Sequence, residues 1–335
     1  MASEDSTFDG IGVSVLPSPD ADLGHQAAPR PTIAILSLGE MGLGIATLLS
    51  KYHYRILTNL DGRSDVTKAR AEAAGASIVS FNEILAQASI FISIVPPSDA
   101  LQLAEKVGAD LLALRHREEP LVYLDLNAIS PTLSRKIAEP ILAAGHTYID
   151  GSILGFPPKL ISESDSSSTW FRPAIPVSGP TFPSSFSHLV TLMNIKHVSD
   201  NLGAASGLKM CFGGINKALT AVALQSYTTA ASMGVLKPLR QYLGEYYPGL
   251  QKVAENSIIA SQRKAYRWVR EMQEVQETTK VEGGWDGDLW QGFGGVFEVV
   301  AEIRECSGTV DTRDDIESVI EVVGKALKRA RRKSL

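Results

Sequence analysis

The chain has little cysteine. Cys211 and Cys306 are the two in 335 residues, and they match no CxxC or Cys/His metal spacing. A disulfide framework is not the basis of such a fold, and a reducing, cytoplasmic compartment is expected. The six histidines, at positions 25, 53, 116, 146, 188 and 197, include no i, i+4 pair, so surface or capping roles are expected and no metal site. No apolar run reaches the ~18 residues of a membrane span, and no Gly-x-Ser-x-Gly elbow argues for a hydrolase. Residues 1–30 lack both a basic start and an apolar signal core and read as a disordered leader. A net charge of −5 speaks against a nucleic-acid surface. The last twelve residues, "GKALKRARRKSL", carry six Lys or Arg; cations there suit a helix C-terminus, the other reading being a polyanion-binding tail. The final Lys-Ser-Leu is the peroxisomal signal with two letters exchanged and is not counted as one.

With 44% hydrophobic and 21% charged residues, the composition is that of a soluble globular chain long enough for about two domains. From Thr32 onward, β-rich runs alternate with helical ones: "TIAILS" and "MGLGIATLLSKY", "YRILTNL" and "SDVTKARAEAAGA", "SIFISIVP" and "SDALQLAEKVGADLLALR", "LVYLDLN" and "SPTLSRKIAEPILAAG", then "TYIDGSI". Such alternation predicts right-handed βαβ crossovers and a mostly parallel, doubly wound sheet. "PPKLISESDSSSTWFRP" reads as a surface loop, and "AIPVSGP" as a returning strand. Beyond Gly203 the period is helical throughout. The expected organisation is an α/β Rossmann domain over 31–197 followed by an all-helical domain over 198–335.

The first strand runs into Ser37-Leu38-Gly39-Glu40-Met41-Gly42. In a Gly-x-Gly-x-x-Gly turn, the first glycine makes the bend, the second admits a pyrophosphate and the third lets helix pack on strand. Serine stands at the first position and fits only with a negative φ. The other two glycines remain, and the helix start behind them offers unpaired N–H groups to a phosphate. After the second strand, Asp61 lies 19 residues beyond Gly42, where an acid would bind the ribose hydroxyl of NAD. Arg63 and Ser64 follow, and a guanidinium beside a hydroxyl suits the 2′-phosphate of NADP instead. Both readings stand on the residues alone, beside a plain surface turn at Asp61-Gly62.

The ordered set "SLGEMGLGIA", "GRS", "SIVPP", "DLNAISP", "YIDGSILG" and "GAASGLKM" resembles the β-hydroxyacid dehydrogenase and 6-phosphogluconate dehydrogenase superfamily, in a divergent branch, from about Thr32 to the C-terminus. The resemblance implies a Rossmann domain joined to a helical domain and an NADP-dependent dehydrogenase or reductase acting on a small carbonyl or alcohol substrate. It implies cofactor contacts from the Ser37–Gly42 turn, from Arg63 and Ser64, which tilt the choice to NADP, and from Val95, Pro96 and Asn127. The family's catalytic lysine falls at Lys209, six residues after Gly203. An ammonium there can stabilise and protonate the alkoxide left by hydride transfer to a carbonyl.

Two substrate positions depart from the family. Its carboxylate-binding serine corresponds to Leu154, next to Gly155, and its asparagine one turn after the lysine corresponds to Gly213. A simple β-hydroxyacid is therefore not the expected substrate, since an unpaired carboxylate in a cleft is costly. Lys217, eight residues after Lys209, is a candidate replacement donor or a residue of the mouth. Trp285, Trp290, Phe293 and Phe297 are read as packing between helices or subunits, or as an apolar wall of the substrate cleft. A homodimer through the helical domains is expected, with no nucleic-acid or membrane partner. The alternative to an enzyme is a catalytically silent NADP-binding sensor or scaffold.

Overall fold

A computed structural model describes residues 12–18, 30–114, 117, 119–307 and 313–333; the side chains of 304–307 and 330–333 fall outside the description. Strands and helices alternate from residue 33. β2 (Ile33–Leu36) leads to α1 (Glu40–Lys51), β3 (Ile56–Thr58) to α2 (Asp65–Ala73), and β4 (Ala76–Ile78) to α3 (Phe81–Gln87). β5 (Ile90–Ser93) leads to α4 (Pro97–Ala113), and β6 (Val122–Asp125) to α5 (Pro131–Ala143) and β7 (Thr147–Gly151). β10 (Ile175–Ser178), α6 (Ser187–Leu192) and β11 (Ile195–Ser199) complete an eight-stranded sheet ordered β11-β10-β7-β6-β5-β2-β3-β4. Its pairs are parallel except β7 with β10. β2, β5 and β6 are buried at every residue, which is why they read as unbroken apolar runs: helices cover both faces.

Chain order reverses direction between β2 and β5. The chain leaves β2 towards β3 and β4, then returns to place β5 on the other side. Ligands of open α/β sheets bind beyond the carboxyl ends of strands at such a switch point. The Ser37–Gly42 turn leaves the carboxyl end of β2 at this place.

Two expectations are corrected. Part of the supposed disordered leader is ordered: β1 (Val13–Pro17) pairs antiparallel with β9 (Ser167–Phe171), which pairs with β8 (Lys159–Glu163). Leu16 is buried, and the Tyr52 hydroxyl donates to the Pro17 carbonyl at 3.0 Å. The Arg172 Nε donates to Ser14 Oγ at 2.8 Å. The Ser- and Pro-rich stretch around residue 165 is thus a hairpin, not a loop. The hairpin turns at Ser164 to Ser167 and is exposed along most of β8, while Ser168, Trp170 and Phe171 are buried. Such a half-polar hairpin carries too few apolar residues for its period to show.

The chain divides into two units, one ending at Lys209 and the other starting at Met210. The boundary therefore falls inside α7 (Ala204–Ser232), beyond the expected 197, because the first turn of α7 is bonded to the sheet as described below. In the second unit α7 is followed by α8 (Leu236–Tyr246), α9 (Pro248–Val281), α10 (Leu289–Ser307) and α11 (Ile316–Lys333). Along α9 the buried positions Ala254, Ile258, Ser261, Ala265, Trp268, Met272 and Val275 step alternately by four and three, the spacing of a continuous helix seam. Phe297 of α10 is fully buried with its ring edge-on to Trp268, centroids 5.1 Å apart.

A candidate dinucleotide site and a buried aspartate network

The turn after β2 has the form that its glycines predict. Ser37 is not among the described residues with positive φ, which outside glycine are His53 and Asn194. Its amide donates to the Ile94 carbonyl at 3.2 Å, and its hydroxyl donates to the same oxygen at 3.3 Å, so serine ties the turn to the end of β5. A Cβ on Gly42 would lie 2.1 Å from the Ser37 carbonyl oxygen, whereas one on Gly39 would meet nothing within 4 Å. The first closeness needs glycine for packing, and the second leaves open space at the helix start. Gly39 is the N-cap of α1 and makes no side-chain cap bond, whereas Ser64, Ser80 and Ser130 cap α2, α3 and α5. The first amides of a helix lack intrahelical acceptors, and at α1 no side-chain cap takes their place. Uncapped amides, open space and a helix dipole fit a dinucleotide phosphate. Leu38 is buried, Met41 packs partly against the core, and Glu40 is exposed in the first helical turn.

Beyond β3, Ser64 caps α2 by accepting from the Thr67 amide, and Arg63 is exposed. Asn127 is 2% exposed, and its amide braces two strand ends. Its Oδ1 accepts from the Val95 amide at 2.7 Å, and its Nδ2 donates to Ser93 Oγ at 3.0 Å. Asn127 thus shapes the Val95-Pro96 loop from below. Pro96 is the exposed N-cap of α4.

Sequence reasoning passed over the aspartates ending β6 and β7, although the signal was present: "YLD" and "YID" each end an apolar run in a charge. Ser93, Asp125, Asp150 and Ser178 are register partners across β5, β6, β7 and β10, and all four are fully buried. Asp150 accepts from the hydroxyls of Ser134 at 2.8 Å and Ser178 at 2.7 Å, and from the backbone amide of Ser206 at 3.0 Å as well as its hydroxyl. The Ser178 hydroxyl accepts from the Ala205 amide at 3.0 Å, and the Ser152 hydroxyl donates to the Ala205 carbonyl at 3.0 Å. Gly203, at φ 94°, lets the chain enter α7 where a side chain would press on Pro131.

Six residues after that glycine, Lys209 Nζ donates to the Ile153 carbonyl at 2.6 Å, and the side chain is half-buried. Ile153 lies just beyond the carboxyl end of β7. Because β2, β5, β6 and β7 run parallel, the Gly39 turn, the Val95 loop, Asn127 and the Lys209 contact all lie at one edge of the sheet. Leu154 bridges backbone to backbone with Ala174, and Gly155 is exposed.

Residues of the second unit are placed differently from a free substrate donor. Lys217 is 8% exposed and pairs with Glu271 at 2.7 Å. A Cβ on Gly213 would lie 3.1 Å from the Lys217 Nζ, and one on Gly214 would lie 3.0 Å from the Trp290 ring. The two glycines form a notch filled by ammonium and indole. Trp290 also stacks edge-on with Phe293, while Trp285 is exposed.

Four of the histidines are structural or exposed. His188 shares a hydrogen bond with the Tyr54 hydroxyl at 2.7 Å, His146 accepts from the Leu121 amide at 3.1 Å, His197 lies 2.8 Å from the Gly179 carbonyl, and His53 is exposed. His25 and His116 lie outside the described residues. Among the described residues no group of His, Cys, Asp and Glu could hold a metal, and no helix is long and apolar enough to cross a membrane. Cys211 is exposed and free, and the Cys306 side chain lies outside the description. Of the basic tail, Ser334 and Leu335 lie outside it as well.

Removal from water, and to a lesser degree the neighbouring Asp150, push the Asp125 carboxyl up to about 7, against the pull of the Asn127 amide. One of its oxygens, Oδ2, is buried without a hydrogen-bond partner, an arrangement that disfavours the anion. Tyr123 and Tyr148 also face it, with phenols raised by burial. Below about 7 the native state therefore holds a proton that an unfolded carboxyl, near ~3.9, has released. Stability from this group falls as pH rises towards 7 and levels off above it. Asp125→Asn removes that dependence. In urea unfolding at about pH 5.5 and about pH 8 the variant should gain on the parent as pH rises; a constant difference would show that Asp125 is already ionised at the lower pH.

Comparison with known proteins agrees with this architecture. The family model described as a domain of unknown function, DUF1932, matches residues 230–300. An uncharacterized 28.5 kDa protein from the 7S RNA 5′ region of Methanothermus fervidus is 25% identical over 215 residues, covering 63% of this chain and 77% of that one. Among solved structures, a conserved hypothetical protein of Sinorhizobium meliloti aligns with TM-score 0.63 at 19% identity over 90% of this chain and 98% of its own. The 3-hydroxyisobutyrate dehydrogenase of Mycobacterium tuberculosis aligns with TM-score 0.62 at 17% identity over 88% and 99%. A conserved protein of unknown function, described as similar in structure to 3-hydroxyacid dehydrogenases, aligns with TM-score 0.59 at 23% identity over 83% and 99%. The chain thus shares the fold of these proteins, and the segment that matches DUF1932 lies in its helical part.

Proposed function

We propose that the chain is an NADP-dependent oxidoreductase acting on a small carbonyl or alcohol, with Lys209 as its acid/base. The observation that carries this reading is the shared edge: an uncapped, open glycine turn at α1 and a lysine amine bonded to the segment leaving β7. The Gly39–Gly42 amides would hold the pyrophosphate, Arg63 and Ser64 the 2′-phosphate, and Val95, Pro96 and Asn127 would border the nicotinamide end. A bound dinucleotide supplies or accepts the hydride. The part of Lys209 is to hold a proton beside the substrate oxygen, donating it when that oxygen becomes negative and taking it back in the reverse direction. The Ile153 carbonyl accepts one of its N–H bonds and so orients the amine. The fold kinship with hydroxyacid dehydrogenases supports the reading by analogy. Domain roles follow: the first unit binds the cofactor, and the second contributes to the substrate site and to assembly.

The competing sensor reading draws on Leu154 and Gly213, which lack the polar groups that would hold a small carboxylate, and on Lys217, whose charge is already met by Glu271. Fluorescence titration with NADPH, followed by a screen for its oxidation with carbonyl and imine compounds, separates the two readings. Binding with no turnover would favour the sensor. In the enzyme reading, Lys209→Ala keeps NADPH affinity and lowers the chemical rate by roughly 10²–10⁴. Lys209→Arg restores little, because a guanidinium holds its proton too tightly. An unchanged rate in Lys209→Ala would remove the assignment.

Arg63→Ala should weaken NADPH far more than NADH, by about 1.5–3 kcal/mol, or roughly ten- to hundredfold. Equal losses would show that Arg63 does not select the cofactor.

A homodimer through the helical units belongs to the same reading. Phe212, Ile215 and Val222 of α7 and Tyr242, Tyr246, Leu250 and Val253 of α8 and α9 are exposed, and repeated apolar positions on neighbouring helices mark association surfaces. Light scattering should return twice the chain mass; a single-chain mass at every concentration would sink this.

A further inference from the structure

Asn59 is the first residue beyond β3. Its Nδ2 donates to Asp61 Oδ2 at 2.9 Å and to the Val79 carbonyl at 3.0 Å, which uses both amide hydrogens. Its Oδ1 accepts from the Asp61 backbone amide at 3.4 Å. Val79 follows β4 and donates its own amide to the Thr58 carbonyl at 3.0 Å. The Asn59 side chain therefore spans the carboxyl ends of two adjacent parallel strands and fastens Asp61 to them. The rest of the loop is closed independently: the Arg63 amide donates to the Leu60 carbonyl at 3.0 Å, Gly62 takes the left-handed conformation at φ 73°, and Ser64 starts α2. Arg63 remains exposed and enters none of the described ion pairs.

In a doubly wound sheet the ribose next to adenine lies beyond this strand end. A carboxylate free to turn there accepts from the ribose 2′-hydroxyl of NAD and repels the doubly charged 2′-phosphate of NADP. A carboxylate held by Asn59 reaches the ribose only by breaking that hydrogen bond, which leaves Arg63 as the group that meets whatever lies at the 2′ position.

We propose that Asn59 is a specificity-determining residue that favours NADPH over NADH by tethering the Asp61 carboxylate; this rests on the cofactor reading given above. The tether is local to this chain's Asn59-Leu60-Asp61 order and acts through Asp61, not through contact with the cofactor.

The test is fluorescence titration of the full-length protein with NADPH and with NADH. Asn59→Ala should lower the NADPH-to-NADH affinity ratio about threefold to tenfold, the effect of releasing one hydrogen bond, and the ratio should recover in Asn59→Ala/Asp61→Ala. If the alanine variant does not fold, Asn59→Ser keeps a polar group at the strand end but is too short to reach the carboxylate, and the same fall is expected. Equal losses for both cofactors, or a fall that persists without Asp61, would overturn the proposal. A preference for NADPH in the parent that survives both Asn59 variants overturns the tether alone. A parent ratio near one overturns the tether and the NADP reading together.

Discussion

The Asp150 carboxylate carries the structure around the candidate site. It ends β7, has no exposure, and receives hydrogen bonds from Ser134 on α5, Ser178 on β10 and both the amide and hydroxyl of Ser206 on α7. Bonds to a charged acceptor are worth about 1.5–3 kcal/mol each, and a buried carboxylate without them would be costly. The arrangement fixes a helix by its first turn: the unpaired amides at the start of α7 are met by an anion and a serine, and the helix dipole favours the negative charge. Lys209 sits one turn further along and inherits its position from that clamp.

Most of the sheet was legible because parallel strands covered on both faces leave unbroken apolar runs separated by helical periods. The tight turn after β2 was legible too, since a side chain on Gly42 would run into the Ser37 carbonyl. What escaped is short or half-polar. β4 has three residues, too few for a period, and β8 and β9 show no clean alternation, since Ile161 is exposed and Ser168 is buried. β1 is recognisable only from its partner, Ser167–Phe171, more than a hundred residues away in sequence. At the site, residue types and spacing named Lys209, Asn127 and Arg63 but said nothing of which hydrogen bonds they make. Asn127 was expected to face the cofactor, yet both ends of its amide are engaged with Ser93 and Val95. Its influence on a nicotinamide would pass through the loop that it supports.

In the helical unit, two glycines of α7 make room for neighbouring side chains. Gly213 leaves room for the Lys217 ammonium, and Gly214 leaves room for Trp290. Two consecutive glycines weaken a helix by roughly 1 kcal/mol each relative to alanine. Here they permit the Lys217–Glu271 pair and the indole to pack against the helix backbone. An ion pair of this kind is sensitive to losing one partner more than to losing both, so it is better suited to fixing the packing of α7 on α9 than to releasing a cation for each incoming substrate.

This division constrains the chemistry. The features on which the proposed cofactor site rests, namely the open helix start, the strand-end loops and the lysine, lie in the first unit, and the Asn127 loop and the lysine are braced by one buried polar row. That row contains an acid, Asp125, held near neutrality by burial, and its neighbour Asp150 is surrounded by donors while Asp125 keeps one oxygen without any. Two carboxyls paired across adjacent strands are held differently: Asp150 collects hydrogen bonds, while burial makes Asp125 more easily protonated than an ordinary carboxyl. Asp150 holds the helix of Lys209 by its first turn, and Asp125 lies under the Asn127 loop. The side chains that shape both ends of the candidate site are thus fixed by hydrogen bonds inside the sheet, whereas Leu154 stands outside that row, its backbone bridged to Ala174.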